Sequence, residues 1–447
     1  MDEMTGLRCP YCLGPLQPAG NAVDPAYHVL HCHCGRYPVL AGIPVIKKGA
    51  IGYAGKTADD AVESIEAGRH REALMMALLP PAPPSPGLAP AGIRGLPAIK
   101  GLWRVTRKLH DRRVGRWRAE AEAFLSDGAA ASTACDLFDF YFRRSGHPKE
   151  PYNYFTFRFG QPRHLVALSL VHLVSHPSKP LLDLACGFGQ ITRSLLARAH
   201  GQPVFGIDRS FFAVYVAQHW MAPDAHFVCC DADGALPFPD DSFSAVVCSD
   251  AFHYFVQKGL IIRELKRLVA REGLIVIPSM RNSGVKQLHV SQSLSPKGYE
   301  GLVAGMPHRL LSDGSILDRY RRGMGPALTR SDDPAVLDAA PLLSLIASDR
   351  PDVFRDHGPF GDWPHAQGRL DLNPLYEETH DGGRTRLRLV FPSAHYEEEN
   401  AECKQYLPAA LDLGDDVPRD ARNGARTPEV DGLIERCVVI GLPERFR

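Results

Sequence analysis

PLLDLACGFGQIT, from Pro180 to Thr192, changes character twice along its length. Leu181, Leu182 and Leu184 form a short apolar run, Cys186-Gly187-Phe188-Gly189 is a tight glycine turn, and Ile191, Leu195 and Leu196 continue at helical spacing. The pattern predicts strand, turn, helix. Glycine suits the turn because a side chain there would keep a ligand away from the backbone, and positive φ costs glycine little. A glycine turn alone fits either a dinucleotide phosphate or a βα connection that binds nothing. The flanking segments decide between them.

Nineteen residues after Gly189 a second apolar segment, Pro203 to Asp208, ends in an acid placed to meet ribose hydroxyls at the carboxyl end of a strand. Asp208 also precedes Arg-Ser-Phe and could instead cap a helix. A third run, from His226, ends in Asp231 and Asp233. A fourth, Ala245 to Cys248, is followed by Ser249, Asp250, His253 and Tyr254. A helix carrying Leu260, Ile261, Glu264, Leu265 and Leu268 leads to a fifth strand, Leu274 to Ile277. Strands alternating with helices over about a hundred residues predict a parallel sheet covered on both faces.

DLACGFG, GIDRS, CDADGALPFPDDSF, CSDAFHYF and LKRLVAREGLIVI, in this order and spacing, resemble the successive motifs of class I S-adenosylmethionine-dependent methyltransferases, over roughly residues 165–285. Ala185 stands where the first glycine of the turn is commonest, and Ser244 where an aspartate often follows the SF pair. The resemblance implies a Rossmann-like, doubly wound α/β sheet. It also implies that Asp183 and the backbone at Ala185, Gly187 and Gly189 hold the methionine moiety, Asp208 the ribose, and Asp231 with Ala232 the adenine, with Ser249 also in the cofactor-binding set.

A chain of 447 residues suggests two or three domains. Its 51 basic residues balance 51 acidic ones, so no global field draws it to nucleic acid or membrane. No apolar run approaches a bilayer span, and MDEMTGLRCPYC lacks the features of a signal peptide, so a cytoplasmic protein with reduced thiols is expected.

The exception among the eleven cysteines is the cluster Cys9, Cys12, Cys32 and Cys34. Two pairs bracketing about twenty residues suit a tetrahedral structural zinc site, with His28, His31 or His33 as alternatives for the fourth ligand. Four reduced cysteines in a metal-free β unit is the competing reading. LRCPYCLGPL with RYPVLAGIPVI resembles the zinc-ribbon modules related to the activator subunit of tRNA and protein methyltransferases.

Thr57 to Leu79 reads as a helix capped by Thr57 and Asp60, with an apolar stripe through Val62, Ile65, Leu74 and Leu78. Pro80 to Pro97, with seven prolines, reads as a linker, and Lys100 to Arg118, with eight basic residues and one acid, as a basic amphipathic helix. Nine aromatics between Phe138 and Phe159 suggest a lid whose rings mostly pack on the sheet, with Tyr152, Tyr154 and Arg158 as pocket candidates. Beyond Met280, helical fragments are expected at Leu310–Arg321 and Val336–Ala347, and strands at Thr385–Phe391 and Arg436–Ile440. Those strands would either close the main sheet or begin a separate domain. The expected organisation is a ribbon over 1–50, a helical segment and linker over 51–130, the catalytic core over 131–285, and an α+β extension over 286–447.

Methyl transfer from a sulfonium requires chiefly alignment of donor and acceptor, with a base where the acceptor carries a proton. His253 is the candidate base, as imidazole titrates near neutrality, with Tyr254 and Asp250 next. Buried packing is the alternative for His253. A small-molecule acceptor methylated on O or N is the leading expectation. The alternatives are an RNA or protein substrate gripped by the ribbon and basic helix, or a non-catalytic partner protein. The sequence leaves oligomeric state open.

Overall fold

The computed structural model describes residues 6–20, 24–52, 55–79, 108–109, 112, 114–125, 132–144, 149–286 and 292–447. Its centre is a seven-stranded sheet in the order β10-β11-β9-β8-β5-β6-β7. The strands are β5 (Leu181–Leu184), β6 (Val204–Asp208), β7 (His226–Cys229), β8 (Phe243–Val247), β9 (Val269–Arg281), β10 (His308–Ser312) and β11 (Leu342–Ser348). β5 pairs in parallel with β6 and β8, β6 with β7, and β8 with β9, while β11 runs antiparallel to both β9 and β10. β5 is buried along its whole length and β6 up to its last residue, as the unbroken apolar runs require. The strand order reverses between β5 and β8, and this switch point opens a crevice at the carboxyl ends of the strands. This is the Rossmann-like methyltransferase fold that the motifs implied.

The strands that close the sheet lie earlier than expected. Val336–Ala347 was expected to be helical, but the helix covers only Pro334–Ala339, and Leu342–Ser348 is β11. A short apolar run such as LLSLIAS has no period that separates helix from strand, and pairing with β9 decides it. Likewise Leu310 and Leu311 belong to β10, and the helix is Asp313–Tyr320, whose N-cap Ser312 accepts from the Ser315 amide at 3.1 Å.

The two later strands exist, but neither closes the main sheet. Arg384–Leu389 (β14) lies between β13 (Tyr376–Asp381) and β15 (Ala410–Gly414), and Val439–Leu442 (β16) pairs with β12 (Arg369–Leu372). They are not a detached domain either. Ala134 N donates to Arg445 O at 2.8 Å, and the Phe446 ring lies 6.2 Å from that of Phe138.

At the other end, β1 (Gln17–Pro18), β2 (Tyr27–Cys32), β3 (Gly35–Leu40) and β4 (Ile43–Pro44) form a small antiparallel sheet. The chain leaving β4 docks on the outer edge of the large sheet. Val45 bridges Cys229 in parallel and Ile46 N donates to Cys229 O at 2.8 Å. Val45 and Ile46 are fully buried, a gain of about 1.5–3 kcal/mol for each side chain. The Thr57–Leu79 helix is two helices, Ala58–Glu66 with the Thr57–Asp60 capping box and His70–Leu78, divided at Gly68, whose φ is +72°.

The Pro80–Pro97 segment lies outside the described residues, as does much of Lys100–Arg118; residues 114–123 are helical. Among the described residues no helix is long and apolar enough to cross a membrane.

Candidate active site

A cavity of about 790 Å³ occupies the crevice at the switch point. Its floor is the glycine turn. Ala185 takes φ +58° and Gly187 +53°, so the turn needs the left-handed region at both positions and Ala185 is strained where glycine would be free. A Cβ on Gly187 would come within 3.4 Å of the Phe155 ring. Gly189 does not line the cavity. At φ +79° it starts the helix Gln190–Leu196, where an added Cβ would meet Ala217 at 3.0 Å, so its smallness serves packing.

The acids expected to face the cofactor sit along one end. Asp208 accepts from the Gly187 amide at 3.0 Å and the Ser210 amide at 2.9 Å. The helix cap that follows is Ser210, not Asp208. Burial raises the Asp208 carboxyl above its usual range, and the two amide bonds oppose that rise. Asp183 accepts from Thr192 Oγ1 at 2.7 Å, and burial pushes its carboxyl up to about 7. Asp231 and Ala232 line the same end. Lys47, on the segment that leaves the N-terminal sheet, donates to Asp231 Oδ1 at 3.3 Å. Sequence gave no signal for that contact, because 184 residues separate the pair.

The opposite, inner end carries three guanidinium groups. Asp250 Oδ2 accepts from Tyr154 Oη at 2.8 Å and Arg158 Nη1 at 3.2 Å, and lies 3.6 Å from Arg163 Nη1. Burial alone would raise the Asp250 carboxyl, but Arg163 and Arg158 outweigh it and hold it below its usual range. Glu399, from the C-terminal region, lies 3.6 Å from Arg163 Nη2 and 3.4 Å from Arg281 Nη2. Arg158, Arg163 and Arg281 are all buried. Of the pocket candidates, Tyr154 and Arg158 line the cavity, whereas Tyr152 packs against the core. The lid aromatics Phe138 and Phe155 each lie 4.5 Å from Phe188 of the glycine turn, so these rings bind lid to sheet.

His253 does not reach the cavity. It is fully buried, its Nε2 accepts from Arg281 Nε at 3.3 Å, and burial pushes its pKa down to about 4. It positions Arg281 from behind the wall, whereas Asp250 and Tyr254 line the cavity. Arg163, Arg281, Gln190 and Glu399 were missed. The one available signal was a lone arginine within the apolar helix PRHLVALSLV.

Three residues lining the cavity each carry a buried side-chain atom without a hydrogen-bond partner: Ser249 Oγ, Gln190 Nε2 and Arg163 Nε. Buried polar groups are rarely left so, and a bound polar molecule would satisfy them. Orphaned donors, a glycine cradle and acids at one end fit S-adenosylmethionine in size and chemistry.

The four cysteines of the small sheet converge. Their Sγ atoms are 3.5 Å apart for Cys9–Cys34, 3.6 Å for Cys12–Cys32 and 3.5 Å for Cys32–Cys34. A tetrahedral zinc with bonds of about 2.3 Å would need edges of about 3.8 Å, so these residues fit the ion with little movement. The cluster comprises the four cysteines; His28, whose Nδ1 lies 2.9 Å from Asp24 O, is not part of it, nor are His31 and His33.

Residues 182–277 match the profile of a family described as "Methyltransferase domain". The chain is 34% identical over 102 residues to a demethylmenaquinone methyltransferase of Thermotoga maritima, covering 23% of this chain and 43% of that protein. It is 32% identical over 117 residues to a malonyl-[acyl-carrier protein] O-methyltransferase of Halorhodospira halophila, covering 26% and 38%. The chain spans less than half the length of the curated relatives it matches. Among solved structures, the plantazolicin methyltransferase BpumL, in complex with a monoazolic desmethylPZN analogue and SAH, aligns over 48% of this chain and 95% of its own at 18% identity, with a TM-score of 0.34. The matched residues carry Asp183, Ala185, Gly187, Asp208, Asp231 and Asp250 of the cavity wall, so this part of the cavity lies within the match to a methyltransferase domain.

Proposed function

We propose that the chain transfers the methyl group of S-adenosylmethionine to an oxygen or nitrogen of a small-molecule acceptor, with oxygen favoured. The observation that carries this reading is the division of one cavity into an acidic end beside the glycine turn and an inner end lined by Arg158, Arg163 and Arg281. The cofactor supplies an electrophilic methyl on a sulfonium. Asp208 holds the ribose, Asp231 the adenine edge, and Asp183 with the glycine-turn backbone the methionine moiety. Ser249 Oγ and Gln190 Nε2 gain the partners they lack.

At the inner end, three guanidiniums against the carboxylates of Asp250 and Glu399 leave an excess of positive charge. That field favours the deprotonated form of an acceptor hydroxyl or acid, so an oxyanion arrives without a dedicated base. Tyr154 and Asp250 are bound to each other and serve positioning. Alignment of the two molecules supplies the rest, worth several powers of ten in rate.

The four cysteines hold a structural zinc that fixes the small sheet, and through it the segment carrying Lys47. Isothermal titration with S-adenosylmethionine and S-adenosylhomocysteine tests the reading, followed by a screen of carboxylic and phenolic acceptors. Micromolar binding of both is expected. Absence of binding by protein shown to be folded would sink it.

A further inference from the structure

We propose that His172, Asp362 and His365 form a second metal site, separate from the four cysteines, which takes a divalent first-row cation such as zinc. The three residues each bring one ligand atom into a group lying within 4.8 Å. His172 follows the helix Pro162–Val171 that packs on the sheet, and Asp362 and His365 come from the C-terminal region about 190 residues later.

The local chemistry prepares these side chains for a cation. His172 Nδ1 lies 2.8 Å from Leu168 O, an acceptor, so Nδ1 carries the proton and Nε2 presents its lone pair. That Nε2 atom is buried and has no hydrogen-bond partner, and the same holds for Nε2 of His365. His172 Nε2 lies 3.7 Å from Asp362 Oδ1, and His365 Nδ1 lies 3.4 Å from the same oxygen. Ligands about 2.0–2.1 Å from a tetrahedral ion stand about 3.4 Å apart, so small side-chain rotations bring these atoms to an ion. Arg198 Nη2 donates to Asp362 Oδ2 at 3.2 Å, which orients the carboxylate and leaves Oδ1 for the metal.

Aromatic rings pack around the two imidazoles, while the carboxylate faces solvent. The two imidazole rings lie 4.1 Å apart, Phe360 lies 4.5 Å from His172, and Trp363 and Tyr320 lie 5.4 and 5.7 Å from His365. A cavity of about 370 Å³ beside them leaves room for a water as fourth ligand. Two imidazoles and one carboxylate are borderline donors of the kind zinc and its neighbours accept, and calcium or magnesium would want more oxygen. An ion here would staple the C-terminal region to the helix behind the glycine turn.

The test is metal stoichiometry in the full-length chain, stripped of metal and reloaded with zinc, with cobalt(II) as a spectroscopic probe. His365→Ala and Asp362→Asn are each expected to bind one equivalent fewer than the unaltered chain, while the thiolate-to-cobalt charge-transfer band is unchanged. A Cys9→Ser/Cys12→Ser variant is expected to lose that band and keep the nitrogen/oxygen-type cobalt spectrum. Should His365→Ala fail to fold, Asp362→Asn carries the test, because Asp362 is solvent-facing. Unchanged stoichiometry in the folded variants would overturn the site.

Discussion

The two ends of the cavity are built in opposite ways. The acidic end draws Asp183, Ala185, Gly187, Asp208 and Asp231 from the termini of successive strands, each within a few residues of a motif. The inner end gathers Tyr154 and Arg158 from the lid, Arg163 from a helix, Arg281 from the end of β9 and Glu399 from 118 residues further on. At the first end backbone geometry presents the groups, and at the second long side chains hold one another in place. A fold can therefore keep one end constant while the other is assembled afresh for each acceptor.

The contrast breaks most visibly if the inner end proves soft. Arg158→Met removes the nearest guanidinium from a buried carboxylate, and loss of about 3 kcal/mol of stability is expected in urea unfolding, with cofactor affinity of the folded fraction unchanged. A loss under 1 kcal/mol would mean that Asp250 finds other partners.

Asp208→Ala should do the reverse. Loss of charge-assisted bonds to the ribose is expected to weaken cofactor binding by about 2 kcal/mol, roughly thirtyfold, with a smaller effect on unfolding. Unchanged affinity in calorimetry would remove Asp208 from the cofactor site.

Asp183 gives a pH signature to the acidic end. Its folded-state carboxyl is raised to about 7, above the unfolded value, so the folded state holds the extra proton from about pH 4 upward. Its stabilising contribution is complete below pH 4 and is lost as pH rises towards 7. A cationic methionine moiety beside it favours the carboxylate, so cofactor affinity is expected to rise by up to about tenfold per pH unit between pH 5 and 7, then level off. Asp183→Asn should flatten that profile, and a wild-type profile already flat would separate Asp183 from the cofactor.

The smallest expected effect is that of Ala185→Gly. Relief of a positive φ should add about 0.5–1 kcal/mol to the unfolding free energy, less the entropy that glycine gains in the unfolded chain. Destabilisation in the same measurement would show that the methyl group packs favourably.

The acidic end was legible because its information is local: DLACGFG, GIDRS and the acids of CDADG each encode a strand end and a turn. His253 was misjudged for the same reason. It holds the right place in the motif order, but only the packing of Arg281 against its Nε2 reveals that it lies behind the wall. Arg163, Arg281 and Glu399 could not be found from spacing, because their meeting depends on where the distant helix Ala394–Glu399 comes to rest. The four cysteines were legible as a group, since two pairs at ribbon spacing converge on one point. The docking of Val45 and Ile46 on β7 was not, because backbone pairing at a sheet edge leaves little trace in side-chain pattern.

That docking also bears on how the site responds to dilution. The small sheet and the edge it covers are parts of one chain, so their association is intramolecular, at an effective concentration on the order of millimolar for ordinary tethers. A separate subunit covering the same edge would leave as the protein was diluted, taking the counterpart of Lys47 with it. Here the ammonium beside Asp231 belongs to the same chain, so its contact with that carboxylate does not vary with protein concentration.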